Sequence, residues 1–473
     1  MESRMMRHRK KWVRLDNASN IFLAAMSPKD TKVFRFSAEI SDTVDSELLQ
    51  KALNKVYDQY LLYHSVLRRG VFWYYLEESD LRPVVKLDTN PSCEALYHFD
   101  RKELLFRVIY WKKRISLEVF HVLSDGTGAL WFFQDLLREY TLLKNEEIEV
   151  VEDIKRTEHS YQQLAEDSFA RHFRKKENRN FGKAAESAVQ SLNEIGKKAG
   201  SSVTKYGKKA FSIFMPVADK TEKNTRVYQV TGTYTPDNRP RIIELELPVK
   251  DLLKLSKDCN STLTIYLTAL FIEAIRKTAK NFKGTETIAV SVPVNLRQFF
   301  PSNTARNFFS TIRLEYTYQL DKENSMDEIC KELKEQLEAQ LSKENLEEWL
   351  TRLIAFEYHP IGRLVIRPIK DLVLKGINKR NNRNLTIAIS NLGRVNFPEY
   401  VDPYINQVYF HTIAVRPQFC AISHGDILTI SFSSPYVETD IQQAYVTMLT
   451  EKEIPVTISA NKVTQEELGG EGI

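Results

Sequence analysis

The stretch Phe120-His121-Val122-Leu123-Ser124-Asp125-Gly126 joins two segments of different periodicity. Residues 115–121 are predominantly apolar and predict a strand, whereas apolar side chains recur every three or four residues over 126–143 and predict a helix. Asp125 directly precedes that helix and is a candidate N-cap. A histidine at the end of a rigid strand can project into a cleft and titrate near neutral pH, so His121 is a candidate catalytic base. Gly126 leaves room for a tight turn or a substrate. The alternative is an ordinary core histidine beside a capped turn.

Working outward from this stretch, the pattern predicts an α/β protein with two similar lobes. The order strand, helix, strand, strand, helix occurs in the first half of the chain at residues 32–40, 46–62, 104–111, 115–121 and 126–143. The same order returns in the second half at 241–247, 262–280, 287–294, 308–318 and 326–341. A chain of 473 residues also exceeds what one hydrophobic core usually organises. We therefore expect a first lobe at 1–152, a basic helical insert and linker at 153–240, and a second lobe at 241–473.

Two further motifs follow predicted strands in the second lobe. Val292-Pro293-Val294-Asn295-Leu296-Arg297 places an arginine where it could pair with Asp125, since a buried unpaired carboxylate is costly. Its alternative is an exposed arginine after a strand. Ile389-Ser390-Asn391-Leu392-Gly393 reads as a strand ending in a polar turn, which could place an amide or hydroxyl donor beside the same cleft.

The positive charge of the chain is concentrated in one segment. Residues 171–209 contain eleven Lys/Arg and three Asp/Glu, a net +8, so the remainder carries 5 − 8 = −3. This distribution argues against a nucleic-acid-binding role for the body of the protein. Apolar residues at helical spacing oppose the lysines within the segment, which predicts a lid or a reversible contact with an anionic membrane surface. The alternative is a lysine-faced helix packed on one lobe.

Cysteine and histidine usage predicts a cytoplasmic protein that needs no resident metal or redox cofactor. A peripheral contact with the membrane surface is compatible with that location. The four cysteines are far apart in sequence and contain no CxxC pair, so reduced thiols are expected. No secretory signal or membrane-spanning run is recognisable. Six other histidines are scattered without ligand spacing: His98, His159, His172, His359, His411 and His424. The GxSxG, GxxxxGK, GxGxxG and HExxH signatures are also missing.

Together, the HxxxDG of the first half, Pro-Val-Asn-Leu-Arg of the second and the following Ser-Asn-Leu-Gly resemble the superfamily of CoA-dependent acyltransferases. That superfamily includes chloramphenicol acetyltransferase, peptide-synthetase condensation domains, plant acyltransferases and, most similar here, alcohol acetyltransferases. Residues 248–275 also resemble the start of the family's second lobe. The likeness extends from about Trp12 to the last helix, except for the basic segment.

The resemblance implies two chloramphenicol-acetyltransferase-like lobes, each a mixed sheet with packed helices, and an active-site tunnel between them. His121 would be the general base for an alcohol or amine that attacks the thioester of acyl-CoA, or of another pantetheine carrier, without an acyl-enzyme. Asp125 would pair with Arg297 and fix the loop, beside Gly126. The substrate-binding residues implied are Asn295, Ser390, Asn391 and Gly393. A monomer with acyl-CoA as co-substrate is expected.

The sequence departs from the family pattern at one position, and two alternative functions stay open. Many relatives carry two adjacent histidines, and here Phe120 occupies the first position, where it is expected to narrow or dry the pocket. One alternative is a carrier-protein-dependent condensation enzyme, although the chain shows no carrier-domain serine motif and no adenylation module. The other is a catalytically degenerate scaffold that binds partners through the basic insert.

Overall fold

The strand that leads to His121 belongs to a five-stranded sheet in the first lobe. A computed structural model describes residues 11–145, 168–173, 227–280, 282, 284–358, 367–413 and 415–469. The strands of this sheet are β2 (Val33–Ile40), β5 (Lys86–Leu87), β6 (Phe106–Trp111), β7 (Arg114–Phe120) and β12 (Ile405–Thr412), in the order β12-β2-β7-β6-β5. A small sheet adjoins it, with β1 (Trp12–Arg14), β3 (Ser65–Arg69) and β4 (Tyr74–Glu78) in the order β1-β4-β3.

The second lobe contains a seven-stranded sheet. Its strands are β8 (Arg241–Pro248), β9 (Thr287–Asn295), β10 (Phe309–Thr317), β11 (Ile387–Val395), β13 (Gln418–His424), β14 (Ile427–Ser434) and β15 (Thr457–Ala460). They follow the order β10-β9-β11-β13-β14-β8-β15. This sheet is mixed, because β11 runs parallel to β9 and β13 while its other described pairs are antiparallel. The five-stranded sheet of the first lobe is also mixed, because β5 and β6 are parallel while its other described pairs are antiparallel.

Helices cover the sheets of both lobes. They are α1 (Asn17–Ala25), α2 (Ser46–Gln59), α3 (Gly126–Lys144), α4 (Ser168–Phe173), α5 (Val249–Asp258), α6 (Leu263–Thr278), α7 (Met326–Gln340), α8 (Lys343–Tyr358), α9 (Arg367–Arg383), α10 (Asp440–Thr450) and α11 (Gln465–Gly469). Side-chain caps fix several starts: Asp45 accepts from Glu47 and Leu48, Thr262 from Ile265, and Ser325 from Glu328. Each lobe has its own large apolar cluster.

The predicted α/β class and two-lobed architecture are confirmed. The helix predicted at 46–62 ends earlier, at Gln59, because Leu61–His64 forms a 3-10 turn instead. The Ser-Asn-Leu-Gly motif does not end its strand: β11 continues to Val395, and the irregularity is a bulge in its pairing with β13 between Asn391 and Arg394.

One strand crosses the sequence boundary between the predicted lobes. β12 follows β11 in the chain, yet it pairs antiparallel with β2 of the first sheet, with Tyr409 opposite Ser37. This pairing covers an edge of the first sheet that would otherwise expose its backbone hydrogen-bonding groups. Residues 241–473 therefore contribute to both sheets, and the boundaries at 152 and 240 remain sequence predictions.

Most of the basic segment at 171–209 lies outside the described residues, so its contact with a membrane surface remains a prediction. Only its first three residues are described, at the end of α4. Phe169 and Phe173 of that helix pack with Phe300 and Phe308 of the second lobe. Among the described helices, none combines the length and apolarity needed to cross a bilayer.

Candidate active site

His121 follows the last residue of β7, between the two lobes. Its backbone N–H donates to Lys32 O at 2.8 Å, which extends the pairing of β7 with β2 by one residue. Successive side chains of a strand point to opposite faces. Phe120 accordingly lies in the core of the first lobe, fully buried and parallel to the ring of Tyr97 at 6.1 Å. That Phe120 narrows or dries the pocket stays a prediction.

Aromatic rings surround the half-buried His121 side chain. Phe22 of α1 has its ring centroid 4.1 Å from that of the imidazole, Phe34 of β2 lies at 5.0 Å, and Phe309 of β10 lies at 5.5 Å. Phe22 also stacks on Phe309, so the two lobes meet across the histidine. The rings shield part of the imidazole from water. The tunnel implied by the resemblance remains a prediction.

Asn307 fixes the orientation and tautomer of His121, and sequence reasoning missed it. The Asn307 side-chain amide nitrogen donates to His121 O at 2.8 Å and to Ser19 Oγ at 3.1 Å. Its oxygen therefore faces His121 Nδ1, at 3.1 Å. Since that oxygen can only accept, Nδ1 must carry the proton, and Nε2 is left with its lone pair. The asparagine is buried and leads into β10 of the second lobe.

Burial holds His121 in the neutral form. Removal from water lowers its pKa to about 4, although the negative charge of Asp125 and the bond to Asn307 act in the opposite direction. The imidazole is therefore uncharged at neutral pH, with its single proton on Nδ1. A neutral histidine with a free Nε2 can accept a proton from a substrate, which is what a general base must do.

Asp125 and Arg297 form the predicted ion pair between the lobes. Arg297 Nη1 donates to Asp125 Oδ2 at 2.7 Å and Nη2 donates to Oδ1 at 3.2 Å, with side-chain exposures of only 7% and 5%. The carboxylate also accepts from the backbone N–H groups of Gly128 and Phe308, both at 2.9 Å. Asp125 thus caps α3 and makes no hydrogen bond to His121 within the described chain.

Asn295 and the other donors of Arg297 complete this cluster. The guanidinium donates to Thr304 O and Arg306 O and lies 5.4 Å over the ring of Trp131. Asn295 accepts from Arg297 N at 3.0 Å and donates to Thr127 Oγ1 at 3.3 Å. The structure thus places the predicted substrate-binding Asn295 in the inter-lobe cluster, where its amide already has protein partners.

Two glycines permit the lobes to approach. A Cβ on Gly126 would lie 3.1 Å from a methyl of Leu392, which belongs to the Ser-Asn-Leu-Gly motif. A Cβ on Gly128 would overlap the carbonyl oxygen of Ala305. Gly128 was not singled out from the sequence, although it follows Gly126 by only two residues. Its role depends on a chain segment that is distant in sequence.

The side chains of the Ser-Asn-Leu-Gly motif differ in whether they already have hydrogen-bond partners within the protein. The amide of Asn391 donates to Thr264 Oγ1 at 2.9 Å, and its oxygen accepts from Gly393 N at 2.9 Å. Gly393 adopts φ +76°, which favours glycine, and open space surrounds it. Ser390 is half-buried, and its side chain points away from the second-lobe core that Ile389 enters. The motif thus adjoins Gly126, but Asn391 is already bonded.

No group of three or more His, Cys, Asp or Glu among the described residues is arranged to hold a metal ion. The four cysteines are unpaired, and Cys93, Cys330 and Cys420 are buried. Function without a metal or redox cofactor remains a prediction.

The alcohol acetyltransferase family model matches residues 107–443, most of the chain, so the chain belongs to that family and is an acyltransferase. No curated protein sequence matches it.

Solved structures share the fold at low sequence identity. The trichothecene 15-O-acetyltransferase TRI3 of Fusarium sporotrichioides superposes with a TM-score of 0.57 at 10% identity, covering 94% of each chain. TRI101 of F. graminearum, solved with coenzyme A and T-2 mycotoxin, gives 0.56 at 11% identity, covering 94% of this chain and 99% of that one. The first condensation domain of the CDA synthetase gives 0.55 at 12%, covering 93% and 96%.

Proposed function

We propose that this acyltransferase moves an acyl group, acetyl in the first instance, from acyl-CoA to an alcohol or amine, with His121 as general base. The observation that carries the proposal is the contact with Asn307. Its amide oxygen accepts from Nδ1–H, so the proton stays on Nδ1 and Nε2 keeps its lone pair. Membership of the alcohol acetyltransferase family supports the choice of acyl group and acceptor. Coenzyme A in the TRI101 structure is a property of that protein and is consistent with the donor proposed here.

The reaction needs one base and no acyl-enzyme. His121 Nε2 takes the proton of the acceptor O–H or N–H as the oxygen or nitrogen forms a bond to the thioester carbonyl carbon. The tetrahedral intermediate then collapses, the C–S bond breaks, and its electron pair leaves on sulfur. The imidazolium returns the proton to the thiolate, which gives free CoA and the ester or amide.

Other groups support the base rather than take part in proton transfer. Asp125 and Arg297 hold the turn that follows His121, and Asn307 is a positioning residue. For the developing oxyanion we assign Ser390, because the Asn391 amide is already bonded to Thr264 whereas the half-buried Ser390 side chain points away from the second-lobe core.

The test replaces His121 with Ala and follows release of free thiol from acetyl-CoA with a panel of small alcohols and amines. Turnover should fall by roughly 10²–10⁴-fold, the usual contribution of a general base, with an unchanged melting temperature. His98→Ala is the matched control, because His98 is exposed and pairs with Glu103 at the surface. Near-wild-type turnover in purified His121→Ala would refute the assignment. Transfer from an acylated carrier protein but not from acyl-CoA would favour the condensation alternative.

A further inference from the structure

A buried polar cluster lies between the lobes, next to the asparagine that contacts His121. It consists of Asp16, Ser19, Arg306 and Asn307, whose exposures are 1%, 0%, 2% and 2%. Asp16 and Ser19 belong to the start of α1 in the first lobe, whereas Arg306 and Asn307 precede β10 of the second. Buried polar groups find their hydrogen-bond partners within the protein, because an unpaired one is costly in a low-dielectric interior. The members of the cluster therefore set one another's roles as donor or acceptor.

The Ser19 hydroxyl has a fixed polarity. Its Oγ lies 2.7 Å from Asp16 Oδ1 and 2.9 Å from Val122 O. Asp16 Oδ1 also accepts from Ser19 N at 2.8 Å, and a backbone carbonyl oxygen can only accept. Since the hydroxyl has a single hydrogen, that hydrogen points to these two oxygens. Toward any further neighbour, Ser19 Oγ can therefore only accept.

This polarity fixes the side-chain amide of Asn307. The amide nitrogen has two hydrogens, and it donates them to His121 O at 2.8 Å and to Ser19 Oγ at 3.1 Å. A flipped amide would place its oxygen against both of these acceptors and would lose both hydrogen bonds. The oxygen is thereby held 3.1 Å from His121 Nδ1, where it accepts from Nδ1–H. Two contacts thus hold the amide, one with the histidine backbone and one with Ser19.

Arg306 supplies the countercharge of Asp16. Its Nη2 lies 3.4 Å from Asp16 Oδ2 and donates to Arg14 O at 2.7 Å. A buried carboxylate without an opposite charge is costly, so this contact supports the acceptor that directs Ser19. Arg306 directly precedes Asn307 in the chain. One short segment of the second lobe therefore delivers both the amide that contacts the imidazole and the countercharge, and the cluster is complete only where the lobes meet.

We propose that Ser19 is a positioning residue for acyl transfer, acting through Asn307 on His121. It holds the amide in the orientation that keeps the proton on His121 Nδ1 and the lone pair on Nε2. Asp16 and Arg306 act one step further away, by directing the Ser19 hydroxyl. If the amide were flipped, its nitrogen would face Nδ1, the proton would be held on Nε2, and the base would be blocked. The inference rests on the proposed function and deepens it, and no proton moves along this chain of hydrogen bonds.

The test is a kinetic double-mutant cycle with Ser19→Ala and Asn307→Ala, made in the full chain. The kcat and the KM for acetyl-CoA are measured for the wild type, both single variants and the double variant, with one alcohol that the wild type acetylates. The same proteins, labelled with nitrogen-15 at histidine, report the imidazole tautomer through their nitrogen chemical shifts, and His121→Ala identifies the signal of that residue. Ser37→Ala is the matched control, because Ser37 is 2% exposed and its hydroxyl bonds to that of Ser116 at 2.8 Å within the first lobe.

Ser19→Ala should lower kcat roughly tenfold with an unchanged KM for acetyl-CoA, since one of the two hydrogen bonds that orient the amide is lost. In the Asn307→Ala background the same change should have no further effect on kcat, because Ser19 then has no amide to orient. The Nε2–H tautomer should appear at His121 in Ser19→Ala, whereas Ser37→Ala should match the wild type in kcat and tautomer. A wild-type kcat in Ser19→Ala, or losses that add fully in the double variant, would overturn the proposal and make the hydroxyl purely structural.

Failure of this proposal is separable from misfolding and from failure of the proposed function. Should Ser19→Ala not fold, Ser19→Cys puts a weaker hydrogen-bonding group of similar size in the same place and should lower kcat in the same direction. A wild-type kcat and tautomer in Ser19→Cys would then overturn the proposal. The nitrogen shifts require no turnover, so they report on the Asn307 contact even if His121 is not the base. Conversely, an unchanged tautomer in Ser19→Ala removes this proposal while leaving the loss of turnover in His121→Ala as evidence for acyl transfer.

Discussion

Removing either member of the Asp125–Arg297 pair should destabilise the protein by about 3–5 kcal/mol, because each replacement leaves a buried charge without its partner. Both side chains are almost fully buried, so solvent screening does not reduce this figure much. In Arg297→Ala the carboxylate keeps only its bonds from Gly128 N and Phe308 N. In Asp125→Ala the α3 cap is lost as well, which costs about 1 kcal/mol.

The double variant Asp125→Ala/Arg297→Ala isolates the interaction. Since neither charge is left alone, its loss of stability should be smaller than the sum of the two single losses by about 1–3 kcal/mol. The measurement is the free energy of unfolding in urea of the wild type, the two single variants and the double variant, each determined from the same unfolding transition. Turnover of each protein is recorded at low temperature. The exposed pair Lys250–Asp426, with exposures of 76% and 71%, is the control and should couple by less than about 1 kcal/mol.

Two results would contradict this reasoning. Strict additivity would mean that the two residues do not interact in solution, which would remove this ionic link between the lobes. A large loss of turnover in Asp125→Ala with unchanged stability would instead make Asp125 an orienting partner of His121, contrary to the hydrogen bonds of the carboxylate.

The remaining predictions concern the base, its cover and the glycines. The kcat/KM profile should stay flat from about pH 8 to about pH 6 and fall only near His121's pKa of about 4, because a lowered pKa keeps the imidazole neutral until the solution is acidic. Asn307→Asp should move that acid limb upward by about 1–3 pH units, since an adjacent carboxylate favours the imidazolium. An unchanged acid limb would show that residue 307 does not influence the pKa of His121. Phe22→Ala should raise kcat/KM for bulky acceptors relative to ethanol, and equal effects on both would show that Phe22 does not limit access. Gly128→Ala should cost at least about 1–3 kcal/mol of unfolding free energy through steric overlap, whereas Gly376→Ala, in a helix with open space around it, should stabilise by about 0.5–1 kcal/mol.

Much of the site could be predicted from the sequence because its signals are local. The change from a strand-like to a helical period at Gly126 predicted where β7 ends and α3 begins. The prediction that Asp125 is the N-cap of α3 is confirmed. The family resemblance implied the pairing with Arg297, and the cost of burying a lone carboxylate gave a physical reason for it. These inferences depend on neighbours within a few residues or on the general chemistry of charge.

Only the tertiary structure decided which distant residues complete the site. Nothing near Asn307 in sequence marks it as a partner of His121, because the contact exists only where the start of β10 passes beside the end of β7. The same holds for Phe22, which reaches the imidazole from α1. The pairing of β12 with the first sheet likewise brings together segments far apart in the chain. Periodicity and capping encode the local elements, whereas the packing of the two lobes determines which side chains meet between them.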